Sequence, residues 1–500
     1  MNPSQPYSRF ITADRVAAYG AKVRRRLSPA QVLALGFLAI IAAGTMLLIL
    51  PISSKNGGFT DPTAALFTAT SATCVTGLTV VDTLSHWSVF GQTVILLMIQ
   101  VGGLGFMSIA VLMSKLMRRT ITPRENRLVT EALGLSSAEG ATKGFMHRIL
   151  IGTFTVEGMG AVLLAMRFVP LFGWKSGLYK SVFHAVSAFC NAGFDILGGY
   201  GGGFSMTAFT DDPLVMSVLS FLVIFGGIGF VVWSDLFDWI HCRLESLFIR
   251  IRGRGDRHWE KHIRSSAAAD ITGRRDRLGI YTRFVLIITG VLLVLGFVLT
   301  AVLEWDHALA GMPTGQKLWT SFFHSVSLRT AGFAAFDNST MTEAGQGLSI
   351  LLMLIGGGSG STAGGLKIGT VGILFWAVMQ IARGKNRIVL MRRTVSKDTV
   401  LRAMTVTVIG IGFAFGSAVL LSAVCKTEFL PSLYETSSAY ATVGLSQNLT
   451  PTLNVFGRLL VILLMYMGRV GILTVIYSLA LRRAHDDSAA RYPETEFPIG

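Results

Sequence analysis

The chain has 500 residues, of which 51% are hydrophobic and only 14% charged, and its mean hydropathy is +0.57. Soluble domains carry roughly 25% charged residues, so the composition excludes a soluble globular protein and indicates an integral membrane protein. A net charge of +16 would suit nucleic acid. The basic residues instead sit in the N-terminal arm and in segments between apolar runs, as cytoplasmic loops do, so no nucleic-acid partner is expected.

Residues 1–30 form a polar arm with Arg24, Arg25 and Arg26, and read as a cytoplasmic extension rather than a cleavable signal. A clear span follows from Gln31 to Leu50. A shorter piece, Asp61 to Cys74, leads into V-T-G-L-T at 75–79. A second long span, Val89 to Met113, contains V-G-G-L-G-F at 101–106 and closes on Lys115, Arg118 and Arg119. This order recurs three more times. The second copy has Phe145 to Val169, Ser181 to Cys190 with N-A-G-F at 191–194, and Pro213 to Ile240 with F-G-G-I-G-F at 225–230. A basic linker, residues 243–283, separates it from the third copy. That copy has Phe284 to Leu303, Trp319 to Leu328 with R-T-A-G-F at 329–333, and a run from Leu348 into a glycine-rich stretch. After the basic segment Arg383 to Arg402, the fourth has Val406 to Val424, Tyr434 to Ala441 with T-V-G-L-S at 442–446, and Val455 to Leu481 with M-G-R-V-G-I at 467–472. The expected organisation is an arm (1–30), four units (31–119, 145–242, 284–382 and 401–483), the linker 243–283 and a polar tail, 484–500.

Register supports the repeat. Aligned on Gly77, Gly193, Gly332 and Gly444, an aromatic lies ten residues before the glycine in three copies (Phe67, Phe183, Tyr434) and nine before it in the third (Phe323). A serine lies six before in the same three (Ser71, Ser187, Ser438) and five before in the third (Ser327). The short pieces, about ten residues each, cannot span a bilayer that needs about twenty, so they read as re-entrant half-helices. A twelve-span transporter would need them to cross. The expected fold is therefore all-α: eight spans and four pore helices around a pseudo-fourfold axis, with both termini cytoplasmic.

The most unusual stretch is I-G-G-G-S-G-S-T-A-G-G-L-K-I-G-T, Ile355 to Thr370. Each interior glycine weakens a helix by about 1 kcal/mol relative to alanine. Non-helical backbone at membrane depth survives only inside protein or beside a watery cavity. Gly356, Gly357, Gly358, Ser359, Gly360, Ser361, Thr362, Ala363, Gly364, Gly365 and Lys367 are therefore expected to form an irregular segment in a permeation path. The competing reading is a glycine interface between packed helices.

Passing a bare alkali cation needs oxygen ligands in place of its water shell, and rings of backbone carbonyls supply them. Glycine allows the turns involved. Val75, Thr76 and Gly77, Asn191, Ala192 and Gly193, Thr330, Ala331 and Gly332, and Thr442, Val443 and Gly444 are the expected ring. Half-helices aimed at one axis would add negative dipole ends. The turns resemble degraded forms of the T-V-G-Y-G potassium filter.

On these motifs the chain resembles the Trk/Ktr/HKT superfamily, and within it the Ktr-type membrane subunits. The resemblance covers residues 31 to 481; two additional N-terminal spans typical of Trk-type subunits are missing, and the arm and the 243–283 linker look longer than the family core needs. The resemblance implies that the four glycines bind K+ at their carbonyls, since a serine in the first position goes with sodium permeation. It implies that the glycine-rich stretch gates the pore below the filter, and that Arg469, in the family's M-G-R-x-G context, lies against it. Arginine inside a span needs acceptors, which loop carbonyls would provide. It further implies uptake across a bacterial inner membrane, Na+ as activator, a homodimer, and a cytoplasmic octameric ring of nucleotide-binding RCK subunits. The basic cytoplasmic surface suits such a partner or anionic lipid.

Other polar residues read as structural. His184 and His324 are expected to bond within the packing, Glu157 and Asp235 to be paired, Arg329 to point behind the third turn, and Cys74 and Cys190 to be small residues behind the turns. No nucleotide site is expected in this chain, because G-x-x-x-x-G-K is missing: Leu366 separates Gly365 from Lys367. No enzyme is expected, since no acid–base or metal set is visible. The rival function is an ion-coupled transporter of a small solute, which would predict inverted repeats and midplane ionisable residues.

Overall fold

The computed structural model describes residues 29–105, 143–198, 205–252, 278–385 and 387–471. Among them are fifteen α-helices. The first group is α1 (Pro29–Ile49), α2 (Pro62–Cys74), the single turn α3 (Thr83–His86) and α4 (Val89–Leu104). Next come α5 (Lys143–Phe172), α6 (Trp174–Phe189), α7 (Pro213–Ile228) and α8 (Phe230–Arg252). The third group is α9 (Ile280–Glu304), α10 (Thr314–Ser327), α11 (Glu343–Leu354) and α12 (Ile368–Ala382). The last is α13 (Lys397–Cys425), α14 (Phe429–Ala441) and α15 (Val455–Val470).

α1, α5, α9 and α13 are long and apolar enough to cross a membrane, with mean hydropathies between 1.8 and 2.9. They are apolar on the outside as well as the inside: Met46, Met159, Val291 and Val408 are exposed, as helices bathed in lipid require. Each packs most extensively against the short helix that follows it. The protein is thus a helical, multi-pass membrane protein. The short helices α2, α6, α10 and α14 have 13, 16, 14 and 13 residues. α6, α10 and α14 begin earlier than the pieces the sequence suggested and α2 one residue later, and all four stay below the twenty or so residues that a crossing needs.

Eight spans were expected, the last of the third unit running into the glycine-rich stretch. Among the described residues only four helices, or five counting one bent pair, have the length and composition to cross. The expected span Pro213 to Ile240 is that pair: α7 and α8 meet at 102°, because Gly229 takes φ +100° and ends the helical ladder. α4 stops at Gly105 (φ +78°) and α15 at Gly471 (φ +93°), while α11 gives way at Ile355 to a non-helical segment. α4, α7, α11 and α15 all open on a polar side chain that accepts a backbone N–H of the first turn: Ser88, Asp212, Thr342 and Asn454.

Within the expected linker 243–283, α8 runs on to Arg252 and α9 starts at Ile280. Within the basic segment Arg383 to Arg402, Val389–Leu390 and Arg393–Thr394 form an antiparallel hairpin. It turns on Met391 and Arg392, both at positive φ, as two-residue hairpin turns demand. The Gln380 side chain secures it by bonding both N and O of Val389, at 3.0 and 2.7 Å. The arm, the tail, Lys115, Arg118, Arg119 and the far ends of the Val89 to Met113 and Val455 to Leu481 runs lie outside the described residues.

Candidate functional site

Each short helix ends in the same backbone gesture. The residue two before the aligned glycine takes a left-handed conformation: Val75 (φ 59°), Asn191 (57°), Thr330 (68°) and Thr442 (53°). The glycines follow at φ +96°, +68°, +79° and +97°. Left-handed backbone costs an L-residue about 1–2 kcal/mol, and more for branched Val75 and the threonines. Four such costs in matching positions require a surrounding structure that over-determines the turns. The aligned serines help. Ser71 and Ser438 accept the Gly77 and Gly444 amides at 3.0 and 3.1 Å. Ser187 and Ser327 donate to Phe194 O and Phe333 O, both at 2.7 Å.

The turns meet in cyclic order. A β-carbon added to Gly77 would stand 2.5 Å from Ala192 O, one on Gly193 2.7 Å from Ala331 O, and one on Gly332 2.5 Å from Val443 O. One on Gly444 would be closer still to Thr76 O, closing the circuit. Real β-carbons are not found at such separations, so only glycine fits. In every case the neighbouring atom is the carbonyl oxygen of the residue before the next glycine. Thr76, Ala192, Ala331 and Val443 therefore each set a backbone oxygen against the neighbouring glycine, in a closed circuit of four.

The segment from Ile355 to Lys367 is non-helical, which removes the reading of its glycines as a helix–helix interface. Its ends pair with each other: Gly356 N donates to Leu366 O at 2.8 Å and Ile368 N to Gly357 O at 2.9 Å. Its middle lies in the α7–α8 bend. Gly358 N donates to Gly227 O at 2.9 Å, Phe230 N to Gly360 O at 2.9 Å, and Ser359 N to the Tyr281 hydroxyl at 2.7 Å. Lys367 Nζ turns back to Ala363 O at 2.6 Å. A β-carbon on Gly364 would run into the Thr442 side chain, and one on Gly365 would stand 3.2 Å from the Ala441 Cα. The segment therefore presses directly on the fourth turn. Ser361 is half-buried, and Thr362 and Ala363 are buried.

Two arginines hold the segment. Arg469, on the last turn of α15, donates to Thr362 O with one nitrogen and to Gly102 O and Gly103 O with the other. One nitrogen thus finds a loop carbonyl, as expected of an acceptor for it, and the other goes to the end of α4. The second arginine was missed. Arg329 does turn away from its own turn, but it donates to Ile355 O at 3.0 Å and Gly356 O at 2.6 Å. The signal was present, since a buried arginine among apolar neighbours must find acceptors, and non-helical carbonyls are the nearest supply.

The remaining polar residues are engaged in packing. Gln100 donates to Glu157 at 3.1 and 3.3 Å. His184 donates from Nδ1 to Lys180 O at 2.7 Å and accepts Ile196 N at 3.3 Å. Thr282 donates to Asp235, His324 lies 3.5 Å from the Ser349 hydroxyl, and Cys74 and Cys190 are fully buried.

Residues 24–489 match the TrkH family, described as cation transport proteins. The chain is 38% identical over 487 residues to the potassium/sodium uptake protein NtpJ of Enterococcus hirae, covering 96% of this chain and 99% of that protein. It is 37% identical over 478 residues to the Ktr system potassium uptake protein B of Bacillus subtilis, with 95% and 97% covered. In structure it resembles the potassium transporter TrkH of Vibrio parahaemolyticus, with a TM-score of 0.64 over 94% of this chain and 89% of that one. At 16% identity this last likeness speaks for the fold alone. Together with the near-complete coverage of the family and of relatives above 30% identity, the helices and turns lead to one conclusion: the chain belongs to the TrkH family of cation transport proteins.

Proposed function

We propose that this chain is the pore-forming subunit of a bacterial K+ uptake system. Four span–pore-helix–span repeats surround a pseudo-fourfold pore, with eight crossings in all, including the helices that break midway. K+ sheds its water for the carbonyls of the four glycine turns and moves down the membrane potential. The names of the relatives, potassium/sodium uptake and Ktr potassium uptake, support K+ as the cargo. The observation that carries the reading is the cyclic adjacency of Gly77, Gly193, Gly332 and Gly444, each facing a carbonyl of the next turn.

The segment Gly356 to Lys367, pressed on the fourth turn and tied by Arg469, is the gate. A Ktr-type system also implies a regulatory partner. On this reading the partner is a cytoplasmic octameric ring of nucleotide-binding RCK subunits on the basic face, serving a homodimer in the inner membrane with both termini cytoplasmic. Na+ acts as activator. Purified protein in proteoliposomes, loaded in turn with K+, Rb+ and Na+, tests the reading. Fluxes of K+ and Rb+ well above Na+ are expected. Equal flux of all three, or movement of an organic solute without K+ flux, would overturn it.

A further inference from the structure

The fourfold pattern of the turns is broken at the left-handed position. Val75 carries no hydrogen-bonding side chain there, and the Thr442 hydroxyl, against Gly364, has no hydrogen-bond partner. Asn191 differs. Asparagine tolerates the left-handed conformation better than other non-glycine residues, and its amide reaches in two directions. Nδ2 donates to Arg329 O at 3.2 Å, the carbonyl of the peptide that enters left-handed Thr330. Oδ1 accepts from the Thr362 hydroxyl at 3.1 Å, which also lies 3.2 Å from Phe189 O.

Arg329 closes the circuit. Its side chain holds Ile355 and Gly356, where the non-helical segment begins, while its own carbonyl is held by Asn191. The segment is thus bonded at its start and at Thr362 to one pair of residues, and those residues set the backbone of the second and third glycine turns. Asn191, Arg329 and Thr362 are all buried, so water does not replace a lost bond cheaply. Arg469 has no such link: its bonds reach the segment and α4, but no glycine turn.

We propose that Asn191 and Arg329 form a relay that fits the second and third glycine turns to the position of the glycine-rich segment. Displacing the segment then changes which ion is accepted, and not only how fast ions pass. Both are positioning residues acting through the backbone of Gly193 and Gly332. This inference rests on the filter and gate reading given above.

The test measures K+ against Na+ flux in proteoliposomes for Asn191→Gly, which keeps the left-handed backbone and deletes both bonds, and for Arg329→Met. Each is made in the full chain and in a background lacking Ile355 to Gly364, which removes Ile355, Gly356 and Thr362, the segment's contacts with the pair. Arg329→Lys and Asn191→Asp serve as milder variants should the first pair assemble poorly. In the full chain each variant is expected to change the K+:Na+ ratio by about fivefold or more, the low end of couplings between sites, with the double variant no worse than the stronger single. In the deleted background the same substitutions are expected to change the ratio no further, because the segment they relay is gone. A purely structural role would damage the turns equally in both backgrounds, and that result, or a change in flux with an unchanged ratio, overturns the relay. A parent protein without K+ preference, or a deletion that leaves flux level, overturns the filter and gate reading itself and the relay with it.

Discussion

Arg469 and Thr362 are joined directly, the guanidinium of one donating to the backbone carbonyl of the other. The same guanidinium reaches Gly102 and Gly103, the latter at 3.2 Å. These carbonyls lie in the last turn of α4, the end of a helix that favours a cation. One side chain therefore fastens the non-helical segment to the first group of helices from a seat on the last. The fork of the guanidinium makes this geometry available to arginine and not to lysine.

Cutting this fastening should open the path. The single charged hydrogen bond to the segment is worth about 1.5–3 kcal/mol, a factor of roughly ten to a hundred between closed and open states. Arg469→Ala is expected to raise K+ flux about tenfold or more without any regulatory ring. A deletion within Gly357 to Gly364 is expected to act in the same direction. Flux that falls or stays level in folded mutants of both kinds would show that the segment does not obstruct the pore.

Much of this site was legible because it depends on residue types that tolerate few substitutes. Glycines recurring at one register announced four turns, and six glycines between Ile355 and Leu366 announced a break in a helix. What stayed hidden depends on partners far away in sequence. Nothing local says that Arg329 reaches forward to Ile355, or that Tyr281, at the start of α9, accepts the Ser359 amide. The break at Gly229 was hidden for another reason. Its neighbours on both sides are apolar and favour a helix, so the run Pro213 to Ile240 reads as one span until the segment supplies Gly360 O to Phe230 N.

The basic hairpin makes a second surface testable. Arg383, Lys385, Arg387, Arg392 and Arg393 are exposed around it, and exposed charges contribute little to stability. Reversing three of them to glutamate is expected to leave folding intact and to weaken copurification with an RCK ring about tenfold or more, as loss of electrostatic complementarity does. The effect should shrink in high salt. Unchanged complex formation would remove this face from consideration.

Asp61 shows how a turn outside the spans supports a short helix. Its carboxylate caps α2 by accepting Ala64 N at 3.1 Å and the Thr63 hydroxyl, with Arg458 3.6 Å away. The Thr63 bond, followed by the backbone amides and Arg458, holds the carboxyl below its ordinary range despite partial burial. Its stabilising effect is therefore present above the ordinary carboxylate value and is lost as pH falls through the lowered one. Asp61→Ala is expected to cost about 1 kcal/mol in thermal or denaturant unfolding, and Asp61→Asn far less because asparagine caps nearly as well. Equal losses in the two variants would assign the effect to charge rather than to the cap.

The ring itself is tested at Gly77. Its φ of +96° strains any L-residue, and a β-carbon there would meet Ala192 O at 2.5 Å and Gly193 Cα at 3.2 Å. A serine must therefore push the first and second turns apart and bring a hydroxyl to the ring. A wider ring with an added flexible oxygen no longer replaces the K+ water shell preferentially, so Gly77→Ser is expected to lower the K+ over Na+ preference about tenfold, equivalent to roughly 1.4 kcal/mol. Backbone strain alone cannot be credited, because Gly57 provides a control. It also has positive φ, +66°, but open space where its β-carbon would lie. Gly57→Ser carries strain of about 1–2 kcal/mol without touching the ring, and is expected to conduct with the parent ratio. If Gly77→Ser conducts with unchanged discrimination, the path of the ion does not run past Gly77; if Gly57→Ser loses discrimination as well, strain rather than contact with the ring explains the loss at Gly77.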